Sequence, residues 1–76
     1  MTLEDRVKNV MADILDLPAS QITVSTTKED TETWDSLAQI NVASALEAEF
    51  NVTFRVDEIE AMTSYATIVS IISEKF

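Results

Sequence analysis

The chain has 76 residues, of which 14 are acidic and 5 basic, giving a net charge of -9, and 46% are apolar. This length and composition predict one small domain, residues 1–76, with a modest core. The absence of Gly, Cys and His excludes glycine-rich phosphate loops, disulfides, zinc sites and histidine-based catalysis. The acidic excess argues against nucleic-acid binding. No apolar run is long enough for a membrane span, and no signal peptide is recognisable, so we expect a cytoplasmic monomer.

The first predicted element is an amphipathic helix. Thr2 predicts its N-cap, with Asp5 in the first turn, where the helix dipole favours an acid. Pro18 predicts that the helix ends shortly after Asp16. The apolar stripe of this helix recurs at helical spacing and consists of Leu3, Val7, Val10, Met11, Ile14 and Leu15.

Residues 17–34 show no helical period and are rich in Ser, Thr, Asp and Glu. A strand over residues 22–26 would have no second strand to pair with, so we predict a long tethered loop. Ile22 and Val24 are expected to pin this loop to the core, and Trp34 to anchor its end. The acids of the loop lack the spacing and the glycine of an EF-hand, and no metal site is predicted.

Three more helices are predicted after the loop. Helix 2 covers residues 36–50, with Asn51 as a left-handed C-cap residue and an inward stripe of Val42, Ala45, Leu46 and Phe50. A short helix follows over residues 56–62, with Ile59 and Met62 inward. Thr63 or Ser64 caps the last helix, whose stripe is Tyr65, Ile68, Val69, Ile72 and Phe76. The predicted fold is therefore an all-α four-helix bundle with three longer helices, one short helix and a long loop between helices 1 and 2.

The segment with the most chemical information is the start of helix 2. Ser36 follows the long loop and comes directly after Asp35. Backbone N–H groups and the positive end of the helix dipole meet there and would stabilise a phosphate on the hydroxyl. No base is available to activate this serine as a nucleophile, which favours modification by another enzyme. Alternatively, Ser36 and Gln39 fit an S-x-x-Q capping box, with Ser36 as an ordinary N-cap.

The run Asp35-Ser36-Leu37, at the start of a helix after a long loop, resembles the attachment motif of acyl carrier proteins. The similarity extends over the whole chain, including the acid-rich, Phe-ended residues 46–50 and residues 62–72. It implies that 4'-phosphopantetheine is attached to Ser36 as a phosphodiester and holds an acyl group as a thioester. The resemblance also implies that the protein is not an enzyme, because the reactive thiol belongs to the prosthetic group.

The same resemblance implies a set of partners and recognition residues. The partners are a phosphopantetheinyl transferase, an acyl-loading ligase or acyltransferase, and synthase enzymes with basic patches. Asp35 would help to orient the transferase and the arm, and Leu37 and Ile40 would make apolar contacts. The acids assigned to partner recognition are Glu47, Glu49, Asp57, Glu58 and Glu60.

Several residues depart from the pattern of fatty-acid carriers. Ala38, Gln39 and Asn41 stand where those carriers usually place acids, and Ser44 replaces a larger apolar residue. These departures favour a discrete carrier of polyketide or related secondary biosynthesis over one of fatty-acid synthesis. Two other functions stay open, a cofactor-free acidic interaction module with Ser36 as N-cap and a hydrolase with Ser36 as nucleophile. The absence of His and of a glycine-flanked nucleophile elbow argues against the hydrolase.

Overall fold

The computed structural model describes all 76 residues as four α-helices and one 3₁₀ turn. The helices α1, α2, α3 and α4 span Leu3–Leu15, Ser36–Phe50, Val56–Ala61 and Tyr65–Ser73, and the 3₁₀ turn Ala19–Gln21 lies in the loop between α1 and α2. This arrangement confirms the predicted all-α bundle of three longer helices and one short helix. None of the helices combines the length and the apolarity that a membrane crossing needs.

Short polar residues fix the ends of the first two helices. The Oγ1 atom of Thr2 accepts a hydrogen bond of 3.1 Å from the backbone N–H of Asp5, which confirms the predicted N-cap. The C-cap residues after α1 and α2 are Asp16 and Asn51, whose φ angles of 57° and 54° are left-handed. Only Asn51 was predicted in this role. Because the chain has no glycine, Asp and Asn supply both left-handed positions, which they tolerate better than most residues.

The core lies where α1, α2 and α4 meet, with two anchors from the long loop. α3 contributes no fully buried residue, although Ile59 packs against the core from that helix while half-buried. The 15 buried apolar residues are Val7, Met11, Leu15, Ile22, Trp34, Ala38, Val42, Ala43, Leu46, Phe50, Phe54, Met62, Tyr65, Ile68 and Ile72. The longer helices therefore hold the bundle together, and α3 lies at its edge.

Two of the predicted core positions are wrong. Val24 is 78% exposed, and the loop is pinned instead by Ile22 and Trp34, both of which are buried. Phe76 lies beyond the end of α4 and is 72% exposed, with its ring edge-on to Phe50. Val24 lies in a loop that has no helical period to direct it inward, and the helical period of α4 ends at Ser73, before Phe76.

The end of the long loop is tied to the start of α4. Thr27 and Ser64 form an isolated antiparallel bridge, next to a backbone hydrogen bond of 2.8 Å from the N–H of Lys28 to the carbonyl of Thr63. A pairing this short has no recognisable sequence pattern. It holds the last part of the loop against the bundle and so helps to place Trp34 and the start of α2.

Candidate functional site

The candidate site is the first turn of α2. Ser36 is the first residue of this helix, and its exposed hydroxyl has no hydrogen-bond partner within the protein. The backbone N–H groups of Ser36 and Leu37 have no backbone partner either, as is usual in the first turn of a helix. A free hydroxyl beside free N–H groups, at the positive end of a helix, is a favourable place for a covalently bound phosphate.

The N-cap of α2 is Asp35 and not Ser36. The Oδ1 atom of Asp35 accepts a hydrogen bond of 2.8 Å from the backbone N–H of Ala38, and Asp35 has an extended backbone, as N-caps do. The alternative interpretation, a capping box of Ser36 and Gln39, is therefore wrong. The physical reason is that the backbone N–H of Gln39, which Ser36 would have to cap, already donates to the carbonyl of Asp35. The hydroxyl of Ser36 is thus left without a capping role.

Gln39 is the one buried polar residue of the chain, with 8% of its surface exposed. Its Oε1 accepts a hydrogen bond from the indole Nε1 of Trp34. Its Nε2 donates to the carbonyls of Ile59 at 2.6 Å and of Met62 at 2.9 Å. One side chain therefore links the end of the long loop, the start of α2 and the C-terminal end of α3. The predicted anchoring role of Trp34 is confirmed by its burial, with 2% exposed.

The structural role of Gln39 was missed in the sequence analysis, which placed this residue at an exposed or capping position. A signal for it was present, because Gln39 lies three and four residues before Val42 and Ala43, which are both buried. It thus shares their face of the helix. An inward polar residue at this spacing predicts buried hydrogen-bond partners, although their identity depends on elements far along the chain.

Two apolar side chains next to Ser36 face solvent. Leu37 is 69% exposed and Ile40 is 62% exposed, and they lie one turn apart on α2. We call these two residues the Leu37/Ile40 patch. Part of the outer face of α2 is therefore apolar.

The five acids assigned to partner recognition lie in different environments. Glu60 is exposed and has no ion-pair partner. Glu47 accepts a hydrogen bond of 2.8 Å from the backbone N–H of Phe54 through its Oε2. The other three acids form ion pairs, which are Arg6–Glu49 at 2.9 Å, Arg55–Asp57 at 3.1 Å and Lys75–Glu58 at 3.0 Å. The negative charge that these five residues present to solvent is therefore smaller than their number suggests.

Glu58 holds two parts of the structure together. Its Oε1 accepts a hydrogen bond of 2.8 Å from the backbone N–H of Arg55, which closes the first turn of α3. Its carboxylate also pairs with Lys75 near the C-terminal end of the chain, and only 18% of the Glu58 side chain is exposed. The hydrogen bond from the Arg55 backbone, and after it the contact with Lys75, lower the pKa of Glu58.

A substitution at Glu58 should change how stability depends on pH. A carboxylate with a lowered pKa stabilises the fold fully above the usual pKa of glutamate, and this contribution is lost as the pH falls through the lowered pKa. Glu58→Gln is therefore expected to unfold at a lower urea concentration than the parent at neutral pH, with the difference shrinking in acid. The matched control is Glu60→Gln, whose carboxylate has no partner. Parallel pH profiles for the parent and Glu58→Gln would contradict this prediction.

The comparisons with known proteins agree with this geometry. The family model described as "Phosphopantetheine attachment site" matches residues 5–73. The helical bundle, with its exposed serine on the first turn of α2, is thus a domain of the class that carries a covalently attached 4'-phosphopantetheine. The chain is 30% identical over 73 residues to an acyl carrier protein of Petrotoga mobilis, which covers 96% of this chain and 86% of that protein. It is 31% identical over 71 residues to an acyl carrier protein of a Picosynechococcus species, covering 93% of this chain and 88% of that protein. The chain belongs to the acyl carrier protein family.

Proposed function

We propose that this protein is an acyl carrier that bears 4'-phosphopantetheine on Ser36 and passes acyl groups between biosynthetic enzymes. The observation that carries the proposal is the exposed hydroxyl of Ser36, which has no partner, in a chain of this family. When bound, the prosthetic group supplies a thiol that holds the acyl group as a thioester. The protein itself is then not an enzyme. Its partners in polyketide, fatty-acid or related biosynthesis carry out the reactions.

The residues of the first turn fit the prosthetic group. The Ser36 hydroxyl faces solvent, and the free N–H groups of the first turn favour the negative charge of a phosphodiester. Asp35 stabilises this turn through its hydrogen bond to the backbone N–H of Ala38. In the proposal, Asp35 also helps to orient the transferase and the arm.

Attachment would use coenzyme A and a phosphopantetheinyl transferase. The Ser36 oxygen forms a bond to the phosphorus nearest the pantetheine, the pyrophosphate P–O bond breaks, and the adenosine 3',5'-bisphosphate half leaves with the bridging oxygen. The hydroxyl proton passes to a base of the transferase. We assign this base to the partner, because the chain has no His and the Oδ1 of Asp35 already accepts from Ala38.

Partner enzymes are proposed to contact the face of α2 that starts at Ser36. The Leu37/Ile40 patch would enter an apolar depression on the partner. Acidic residues of the carrier would attract a basic patch on the same partner. The recognition acids remain Glu47, Glu49, Asp57, Glu58 and Glu60, with the unpaired Glu60 presenting its charge most directly. The net charge of -9 speeds encounter with basic partners in a way that salt weakens.

Intact-mass spectrometry tests the proposal directly. The purified protein is incubated with coenzyme A and a broad-specificity phosphopantetheinyl transferase, and we expect a gain of one phosphopantetheinyl group per chain. The initial rate of this gain is expected to fall as the salt concentration rises, because screening weakens the attraction between acidic carrier and basic transferase. A correctly folded protein that gains no mass would overturn the carrier function and favour an acidic interaction module.

A further inference from the structure

The short helix α3 is held in place more by polar contacts than by apolar packing, to which the half-buried Ile59 contributes. It has no fully buried residue, whereas each of the other helices buries at least three. Its N-terminal end is held by the hydrogen bond from the Phe54 N–H to Glu47 and by the pair between Glu58 and Lys75. Its C-terminal end is held by Gln39 of α2. Of the four helices, α3 is therefore the one that apolar packing secures least.

Gln39 makes the buried hydrogen bonds between α2 and the C-terminal end of α3, and we call this contact the seam. Its Nε2 donates to the carbonyls of Ile59 and Met62, which lie at the C-terminal end of α3. Its Oε1 accepts from the indole of Trp34, so every polar atom of this side chain is used. No buried side-chain polar atom in the protein lacks a partner. The seam is thus closed by a complete hydrogen-bond network.

Opening this seam would break the network. If α3 moved away from α2, the amide of Gln39 and two carbonyls would lose their partners in an environment that water does not reach freely. Leaving buried polar groups without partners is strongly unfavourable. An apolar chain attached to Ser36 gains free energy by leaving water for the core. Because α3 is the helix that apolar packing secures least and Gln39 lies within one turn of Ser36 on α2, the least costly entry for such a chain separates α3 from α2. The hydrogen bonds of Gln39 therefore oppose the gain in free energy from burying the acyl chain.

We propose that Gln39 is a specificity-determining residue that keeps α3 closed against α2 and so keeps acyl chains on Ser36 out of the core. The carrier then displays its cargo in solvent and suits short or polar acyl groups, which gain little from burial. This inference rests on the proposed attachment to Ser36. It assigns Gln39 a role in cargo choice beyond its structural hydrogen bonds.

The test compares acyl groups of increasing length on the intact carrier. A broad-specificity transferase loads butanoyl, octanoyl and dodecanoyl groups from the corresponding acyl-coenzyme A, and intact mass verifies each product. The measured quantity is the rate at which hydroxylamine cleaves the thioester, relative to the same acyl group on free pantetheine. In the parent we expect this relative rate to be the same at every chain length, because a chain left in solvent gains no shelter.

The variant Gln39→Met removes the hydrogen bonds and keeps an unbranched side chain of similar size. In this variant the octanoyl thioester is expected to be cleaved at least about tenfold more slowly than the butanoyl thioester, and the dodecanoyl thioester more slowly still. Each buried methylene favours the sheltered state by about fourfold, so burial of two already exceeds tenfold. The matched control is Gln21→Met, which changes an exposed glutamine of the 3₁₀ turn. It should behave like the parent.

The outcomes separate this inference from the proposed function. Failure of the parent to accept any acyl-phosphopantetheine group refutes attachment itself. Successful loading followed by chain-length-dependent protection of the parent overturns the closed seam. Equal cleavage in the parent and in a folded Gln39→Met overturns the role of this residue. If Gln39→Met does not fold, the methyl resonances of Met62 and Val42 in the parent decide, because they shift with chain length only if the chain enters the core.

Discussion

Replacement of Ser36 by alanine is expected to abolish phosphopantetheine attachment completely while leaving the fold intact. The attachment proposed here has no other acceptor, since it needs a free hydroxyl on the first turn of α2. The stability should change by less than about 0.5 kcal/mol, as is usual for an exposed residue without special contacts. This expectation follows from the cap of α2, which is Asp35 and not Ser36.

Intact-mass spectrometry measures the loss of attachment, and urea unfolding of the same samples measures the stability. Ser44→Ala is the matched control, because Ser44 is another exposed serine of α2, and it should still gain one phosphopantetheinyl group. Persistent mass gain in Ser36→Ala would show that attachment occurs elsewhere. A loss of about 0.5–2 kcal/mol of stability would instead indicate that Ser36 acts as an N-cap.

Truncation of Trp34 to alanine is expected to have the largest effect on stability. The side chain is buried, with 2% exposed, and its indole donates to Gln39. Removing a large buried aromatic group lowers the free energy of unfolding by about 3–5 kcal/mol. For a domain of this size the total is only about 4–11 kcal/mol. We therefore expect Trp34→Ala to lose a large part of its stability, measured by urea unfolding with circular dichroism as the probe.

Trp34→Phe distinguishes the contribution of the apolar ring from that of the indole N–H group. Phenylalanine keeps most of the apolar contact but leaves the Oε1 of Gln39 without its donor, which should lower the stability by about 1–3 kcal/mol. The expected order is parent, then Trp34→Phe, then Trp34→Ala. If Trp34→Ala unfolded at the same urea concentration as the parent, the loop would not be anchored by this residue.

The helices of this protein were determined largely by local sequence. The stripe of α1 and its cap at Thr2 predicted the first helix, and the bounds of α2, Ser36–Phe50, agree with the prediction. The C-cap at Asn51 was also predicted, because a chain without glycine has few residues that adopt a left-handed backbone easily. These features depend on interactions within a few residues, which the order of the amino acids expresses directly.

The sequence predicted where the candidate site lies, but not which residue caps α2 there. The run Asp35-Ser36-Leu37 and the resemblance it carries located the site at the start of α2. The sequence equally fitted a cap at Ser36, because Ser and Asp are both good N-cap residues and stand side by side. Only the backbone conformation shows that Asp35 takes the cap, with a hydrogen bond to Ala38, and that the hydroxyl of Ser36 is free.

The sequence by itself therefore determined the helical class, the bounds of α2 and the place of the candidate serine. The tertiary structure decided which polar residues hold the bundle together. Gln39 bonds to the carbonyls of Ile59 and Met62, which follow it by 20 and 23 residues, and Glu58 pairs with Lys75 across 17 residues. The physical reason is that periodicity and capping act over one or two helical turns. The partner of a buried amide or carboxylate depends on how whole helices pack, and that arrangement has no local pattern in the chain.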